Sequence, residues 1–186
     1  MPGISSVTVY CGSANGADPR YPDLARRLGK AIARRGWRTV YGGGNVGLMG
    51  QVASSARDHG GKVQGVMPHF LREIEGVHEG IENRYTDNMH QRKQALLDEA
   101  DGLIVLPGGI GTLEEAVETL SWAKLSLHRK PMAFLSENNY WQPFFVLVDH
   151  MIEGGFLPPS FRQLMANTNS PDAALDALSE RAIILD

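Results

Sequence analysis

Three short apolar runs in this chain each break off into a glycine-rich turn, and that repetition restricts the fold more than any other feature. Val7-Thr8-Val9-Tyr10 leads into Cys11-Gly12-Ser13-Ala14-Asn15-Gly16. The beat of Trp37, Thr39 and Val40 leads into Tyr41-Gly42-Gly43-Gly44-Asn45, with Gly47 and Gly50 close behind. Leu103-Ile104-Val105-Leu106 stops at Pro107, and Gly108-Gly109-Ile110-Gly111-Thr112 follows. In a parallel sheet all strand C-termini open on one edge, where ligands of open α/β folds bind. The three turns are therefore expected to wall one pocket, with Gly12, Ser13, Gly43, Gly44 and Asn45 among its residues.

Residues 6–11, 37–41, 62–67, 102–106 and 131–135 read as strands, with a shorter one near Leu164 to Thr168. Helical periodicity marks Tyr21 to Arg35, Gly47 to His59, Met89 to Glu99, Thr112 to Ser126, Trp141 to Glu153 and Pro171 to Leu178. The alternation predicts an α/β, Rossmann-like three-layer sandwich, with a mostly parallel central sheet flanked by helices. At 186 residues and 42% hydrophobic content the chain can bury a real core, which points to a single Rossmann-like domain over 1–186.

Composition excludes several classes of function. The net charge of −3 arises from 18 basic and 21 acidic residues, which gives no general field for holding nucleic acid. Arg26, Arg27, Lys30, Arg34 and Arg35 alternate with Leu24, Leu28 and Ile32, and so read as the solvent side of an amphipathic helix. No run of 18 apolar residues could cross a bilayer, and no signal-like segment opens the chain, so a cytoplasmic location without membrane contact is expected. The single cysteine, Cys11, rules out an internal disulfide. The six histidines never stand at metal-pair spacing, and no metal site is expected.

The chemistry concentrates first in residues 107–115. A strand, a tight turn and a helix start offer unpaired backbone N–H groups to an anion. The spacing is not a Walker loop, because no lysine follows the glycines, and it is not G-x-G-x-x-G either. An acid just inside the new helix would repel a phosphate unless it faced another part of the ligand, which marks Glu115 as a group with its own task. The second segment is Asp87-Asn88-Met89-His90-Gln91-Arg92-Lys93-Gln94. Two adjacent cations in the first turns of a helix are slightly unfavourable to its dipole, and this conflict favours a ligand-directed role for at least one of Arg92 and Lys93.

Pro107-Gly108-Gly109-Ile110-Gly111-Thr112-Leu113-Glu114-Glu115, preceded by Met89-His90-Gln91-Arg92-Lys93, resembles the paired signature of the LONELY GUY family. These phosphoribohydrolases release free cytokinin from its riboside 5'-monophosphate, and many carry the older description of possible lysine decarboxylases. Cys11-Gly12-Ser13, Tyr41-Gly42-Gly43-Gly44, Gly47-Leu48-Met49-Gly50, Met67-Pro68 and Lys130-Pro131 follow in family order, so the resemblance covers residues 5 to 160. It implies that Arg92 and Glu115 are the catalytic pair and that Gly108, Gly109, Ile110, Gly111, Thr112, Leu113, Glu114 and Glu115 contact the nucleotide. It further implies substrate contacts from Glu73, Lys93 and Ser121, with Glu75 and Glu79 as alternatives to Glu73. A homodimer with its interface near the active site is also implied, and no cofactor. The decarboxylase description finds no support in the sequence, because no lysine motif identifies a Schiff-base residue.

Cleavage of an N-glycosidic bond develops positive charge near C1' as the base leaves. A carboxylate there stabilises that charge and can orient or deprotonate water, the task assigned to Glu115. The Arg92 guanidinium keeps its proton at ordinary pH, so it suits clamping and holding Glu115 rather than general acid work. The proton donor to the departing base is not legible in the sequence, with His90 or a solvent chain as candidates. An apolar slot for the base is expected from Met89, Leu48 or Trp122. Adenine-type nucleoside 5'-monophosphates, cytokinin nucleotide or AMP, are the expected substrates. Two other functions fit parts of the pattern: a non-catalytic nucleotide-binding or sensing protein, and an oxidoreductase or flavin carrier, which the lack of a dinucleotide fingerprint disfavours.

Overall fold

The computed structural model describes residues 3–185, and among them seven strands form one sheet. In chain order the strands are β1 (Ser6–Tyr10), β2 (Arg38–Tyr41), β3 (Val63–Pro68), β4 (Glu82–Thr86), β5 (Gly102–Val105), β6 (Met132–Leu135) and β7 (Met165–Thr168). The helices are α1 (Arg20–Arg34), α2 (Gly47–Asp58), the short α3 (Arg72–Glu75), α4 (Met89–Asp98), α5 (Ile110–Lys124), α6 (Gln142–Glu153) and α7 (Pro171–Leu185). The sheet order is β4-β3-β2-β1-β5-β6-β7, and every recorded pairing is parallel.

Two apolar layers cover the sheet. Leu24, Leu28 and Ile32 of α1, Leu48 and Val52 of α2, and Leu175 and Leu178 of α7 pack on one face. Ala95 and Leu96 of α4, Ala116 and Leu120 of α5, and Phe145 and Val148 of α6 pack on the other. The expected three-layer α/β fold is thus the observed one. Because β1, β5 and β6 are fully buried, their residues are apolar on both sides of the pleat, apart from Ser6 and Thr8. Thr8 satisfies its hydroxyl by donating to the Leu96 carbonyl at 2.5 Å.

Sequence reasoning passed over β4. Its residues, Glu-Asn-Arg-Tyr-Thr, lack an apolar run, and only Thr86 among them is buried. They form a strand because β3 offers an unpaired edge, with Gln64 facing Glu82 and Pro68 facing Thr86 in register. Edge strands need backbone partners more than apolar side chains. The turn-helical segment His69–Leu71 and α3 also fall in what read as loop.

Helix α5 begins two residues before the expected Thr112. Gly109, extended at φ −88° and ψ −156°, is the N-cap residue, and the first cap hydrogen bond runs from Leu113 N–H to the Gly109 carbonyl at 3.1 Å. The N–H groups of Ile110, Gly111 and Thr112 therefore have no acceptor within the helix. The shift places the glycine turn inside the first helical turn, where its donors converge.

Candidate active site

A cavity of about 300 Å³ opens at the C-terminal edge of the sheet, between β1, β2 and β5. One wall is Tyr10, Cys11, Gly12 and Ser13, a second is Gly42 and Met49, and a third is Gly109, Ile110, Gly111 and Thr112. Arg92 and Glu115 complete it, brought from α4 and α5. Their charged groups meet at 3.4 Å, Nη1 to Oε1, with side chains 8% and 13% exposed.

Local chemistry starts α4 where the site needs it. Asn88 caps the helix by accepting from Gln91 N–H at 2.9 Å, and Gln91 Oε1 accepts from Asp87 N–H at 3.0 Å. Arg92 then lies one turn in, buried against β3 and the turn after β2. Its Nε donates to the Val66 carbonyl at 3.2 Å and its Nη2 to the Gly42 carbonyl at 3.3 Å. The guanidinium is thus fixed by two backbone acceptors while a third edge faces Glu115. A guanidinium offers five donors in a rigid fork, so these contacts leave donors over for a ligand.

Glu115 is held through its backbone. The Thr119 hydroxyl donates to the Glu115 carbonyl at 2.8 Å, and the Thr119 Oγ1 stands 3.1 Å from the Tyr10 hydroxyl. Because Thr119 spends its proton on the carbonyl, Tyr10 is the donor of that second bond. Burial pushes the Tyr10 phenol well above the ordinary tyrosine value, so it stays protonated and donating. His128 Nε2 lies 2.9 Å from the Thr119 carbonyl, which ties the next turn of α5 as well.

Thr112 is buried, yet it reaches the cavity wall. A Cβ on Gly108 would collide with its side chain and stand 2.8 Å from the Gly12 backbone nitrogen, so a glycine at 108 is required for the β1 and β5 turns to close on each other. Gly12 N–H donates to the Pro107 carbonyl at 3.1 Å, and Leu48 N–H to the Gly12 carbonyl at 3.0 Å. The three glycine turns therefore share one pocket region, as their sequence predicted.

The residues expected at the site divide sharply. Arg92, Glu115, Gly109, Ile110, Gly111, Thr112, Gly12 and Ser13 line the cavity. Gly108 lines an adjoining chamber of about 350 Å³ together with Leu48, Tyr21 and Tyr140. Lys93 instead pairs with Glu114 at 2.7 Å and Glu118 at 3.0 Å, tying α4 to α5 beside the cavity. Gly43 and Gly44 are buried behind Gly42, and Asn45 turns to the Val77 carbonyl at 3.5 Å. Leu113 and Trp122 pack against the apolar layer under α5 and α6, because helical rotation carries them away from Glu115.

Ser121 is exposed and borders an apolar cleft between α5 and α6. Met89 is half-buried at the start of α4 and His90 lies in a surface hollow with Arg84 and Gln94, so neither lines the cavity. Glu73 and Glu79 are exposed, Glu73 on α3 and Glu79 beyond it, and neither lines the cavity. The Glu75 side chain lies outside the described residues. Sequence reading missed Tyr10, Gly42, Met49 and Leu96 as wall residues. Tyr10 and Gly42 had a usable signal, since each stands at or just after a strand end on the ligand edge.

Among the described residues no group of three His, Cys, Asp or Glu side chains is arranged to hold a metal ion. No described helix is long and apolar enough to cross a membrane.

Comparison with known proteins supplies the lineage. A family profile described as "Possible lysine decarboxylase" matches residues 49–178. A cytokinin riboside 5'-monophosphate phosphoribohydrolase of Rhodococcoides fascians is 41% identical over 179 residues, covering 95% of this chain and 90% of that one. A probable enzyme of the same name from Oryza sativa subsp. japonica is 43% identical over 169 residues, 90% of this chain and 73% of that one. Among solved structures, the molybdenum cofactor binding protein of Rippkaea orientalis superposes with a TM-score of 0.72 over 99% of both chains at 22% identity, a likeness of fold alone. With the profile spanning most of its length and two relatives above 40% identity, this chain belongs to the cytokinin riboside 5'-monophosphate phosphoribohydrolase family, the LONELY GUY family whose signature its sequence carries.

Proposed function

We propose that this protein hydrolyses the N-glycosidic bond of adenine-type nucleoside 5'-monophosphates, cytokinin riboside 5'-monophosphate or AMP, releasing free base and ribose 5-phosphate. One observation carries the reading: a buried Arg92–Glu115 pair at 3.4 Å lines the same cavity as the N-terminal turn of α5, whose first N–H groups have no acceptor within the helix. The names of relatives 41% and 43% identical support the same reaction.

In this mechanism the N–H groups of Gly109, Gly111 and Thr112, with the Thr112 hydroxyl, bind the 5'-phosphate, helped by the positive end of α5. That anchorage sets the sugar beside Glu115. As the bond to the base lengthens, the carboxylate stabilises charge developing at C1' and orients the attacking water. Arg92 keeps Glu115 ionised and aimed, and its remaining donors meet the sugar or phosphate oxygens. Lys93 acts through Glu114 and Glu118 rather than on the ligand. The pocket lining holds no lysine, which removes support for Schiff-base decarboxylation at this site.

The working unit is a single catalytic domain, placed in the cytoplasm and assembled as a homodimer. Val117, Leu125, Leu127, Leu147 and Phe156 leave an exposed apolar face along α5, α6 and their following turns, suited to a second copy.

The test is direct. Purified protein is incubated with AMP, isopentenyladenosine 5'-monophosphate, GMP, CMP and adenosine, and free bases and ribose 5-phosphate are resolved by chromatography. Base release from the two adenine monophosphates and little from adenosine is the expected result. Binding without release from any of them would transfer the protein to the sensing class.

A further inference from the structure

We propose that Tyr140 is a positioning residue for substrate phosphate: its hydroxyl locks the Gly108–Gly109 peptide so that the Gly109 N–H faces the cavity. The inference rests on the phosphate reading of this turn and adds a residue that neither signature segment contains.

The Tyr140 hydroxyl donates to the Gly108 carbonyl at 2.6 Å across 32 residues of sequence. No peptide bond among the described residues is cis. In a planar trans peptide the C=O and the following N–H point in opposite directions. Holding the Gly108 oxygen toward Tyr140 therefore turns the Gly109 N–H away from it. Gly108 and Tyr140 line the adjoining chamber and not the cavity, whereas Gly109 borders both spaces and Ile110, Gly111 and Thr112 line the cavity with Arg92 and Glu115. The N–H is thus aimed at the side where the anion binds.

Such a peptide needs a lock because both of its residues are glycines. Rotation of the plane by half a turn leaves the flanking Cα atoms in place and carries φ of Gly109 from −88° to about +90°, a value that glycine alone accepts freely. The rotated state presents a carbonyl oxygen to the phosphate, replacing attraction by repulsion. Nothing stands within 4 Å of a Cβ built on Gly109, so an alanine fits there in the observed conformation. The hydroxyl of Tyr140 is the recorded partner of the Gly108 oxygen.

Tyr140 is itself braced. Its ring meets Tyr21 edge-on at 5.6 Å and Trp141 at 5.0 Å. The Tyr21 hydroxyl accepts from Asn138 Nδ2 at 3.0 Å. Asn139 turns the chain into Tyr140 with a φ of 57°, a left-handed conformation that asparagine tolerates better than most residues.

Tyr140→Phe keeps the ring contacts and deletes one hydrogen bond. Affinity for AMP and for ribose 5-phosphate, measured by calorimetry, is expected to fall about 10-fold, the equivalent of one hydrogen bond. Adenosine affinity should not change, and in steady state KM should rise while kcat stays within about 3-fold. The decisive arm repeats the substitution in a Gly109→Ala background. Alanine disfavours the rotated peptide, so Tyr140→Phe should then cost about 2-fold or less relative to Gly109→Ala alone.

Equal losses in both backgrounds would overturn the lock, as would unchanged phosphate affinity, a matching loss for adenosine, or a fall in kcat at constant KM. A wild-type protein that binds the phosphate esters without cleaving them defeats the hydrolase reading but leaves the calorimetric test of the lock intact. One that binds neither ester defeats both.

Discussion

Arg92 occupies the space that a side chain on Gly42 would fill: a Cβ built there falls inside contact distance of the guanidinium and stands 3.1 Å from the Met49 sulfur. The Gly42 carbonyl meanwhile accepts from Arg92 Nη2. The turn after β2 thus both makes room for the arginine and grips it, which fixes the side of Arg92 that is left for Glu115.

Gly42→Ala should therefore act on catalysis through Arg92. The added methyl forces the guanidinium off its two carbonyl acceptors, at a cost of about 1–3 kcal/mol in stability, as for overpacking of other tight sites. Turnover of AMP should fall about 100-fold, because displacement of a catalytic group by an ångström has that order of effect. Thermal melting and base release, measured on the same preparation, check both parts; unaltered turnover would dissociate Arg92 placement from the reaction.

Glu115→Gln keeps the shape of the side chain and removes the charge opposite Arg92. The variant should fold, bind AMP and lose at least about 100-fold in turnover, the scale of one electrostatic or base contribution. Calorimetry for binding and chromatography for adenine release provide the measurements. Release of adenine at close to the wild-type rate would remove Glu115 from the chemistry.

His128 gives a dependence on pH. Its Nε2 must carry the proton that meets the Thr119 carbonyl, and its Nδ1 accepts from Lys130 N–H at 3.1 Å, so the neutral ring is the one that fits. Desolvation lowers its pKa below the ordinary value of 6.5, with the Lys130 charge adding to that direction. A base depressed in the folded state contributes stability that is present above the unfolded pKa and lost as pH falls through the folded one. Urea midpoints should therefore drop on going from pH 7.5 to 5.5. His128→Gln, whose amide can donate and accept at the same two places, should show a smaller drop; an equal drop would assign the acid sensitivity elsewhere.

Tyr41 offers a stabilising substitution. Its hydroxyl is buried without a hydrogen-bond partner among the described residues, and burial drives its pKa far upward. Removing an unsatisfied polar group relieves a desolvation cost of about 1 kcal/mol or more. Tyr41→Phe should raise the melting temperature by about 2–4 °C for a chain of this size. A lowered melting temperature would show that the hydroxyl is satisfied in solution.

The amino-acid sequence by itself determined the elements whose causes are local. Apolar runs cut off by glycine gave β1, β2 and β5 and their shared ligand edge, because strand burial and turn chemistry are written in adjacent residues. Asn88 and Gln91 likewise set the start of α4, and with it the depth of Arg92 in the helix. The tertiary structure decided whatever depends on residues far apart in the chain. It made a strand of polar residues 82–86 by giving them the edge of β3, and it turned Lys93 toward Glu114 and Glu118. It carried Ser121 and Trp122 away from the cavity that Glu115 faces, since a few residues along a helix rotate a side chain to another side. It alone brought Met49 rather than Met89 to the pocket wall, Gly42 against Arg92, and Tyr140 onto the Gly108 carbonyl. These are packing relations between separate loops at one sheet edge, and no local propensity encodes which side chains meet there once the strands are ordered.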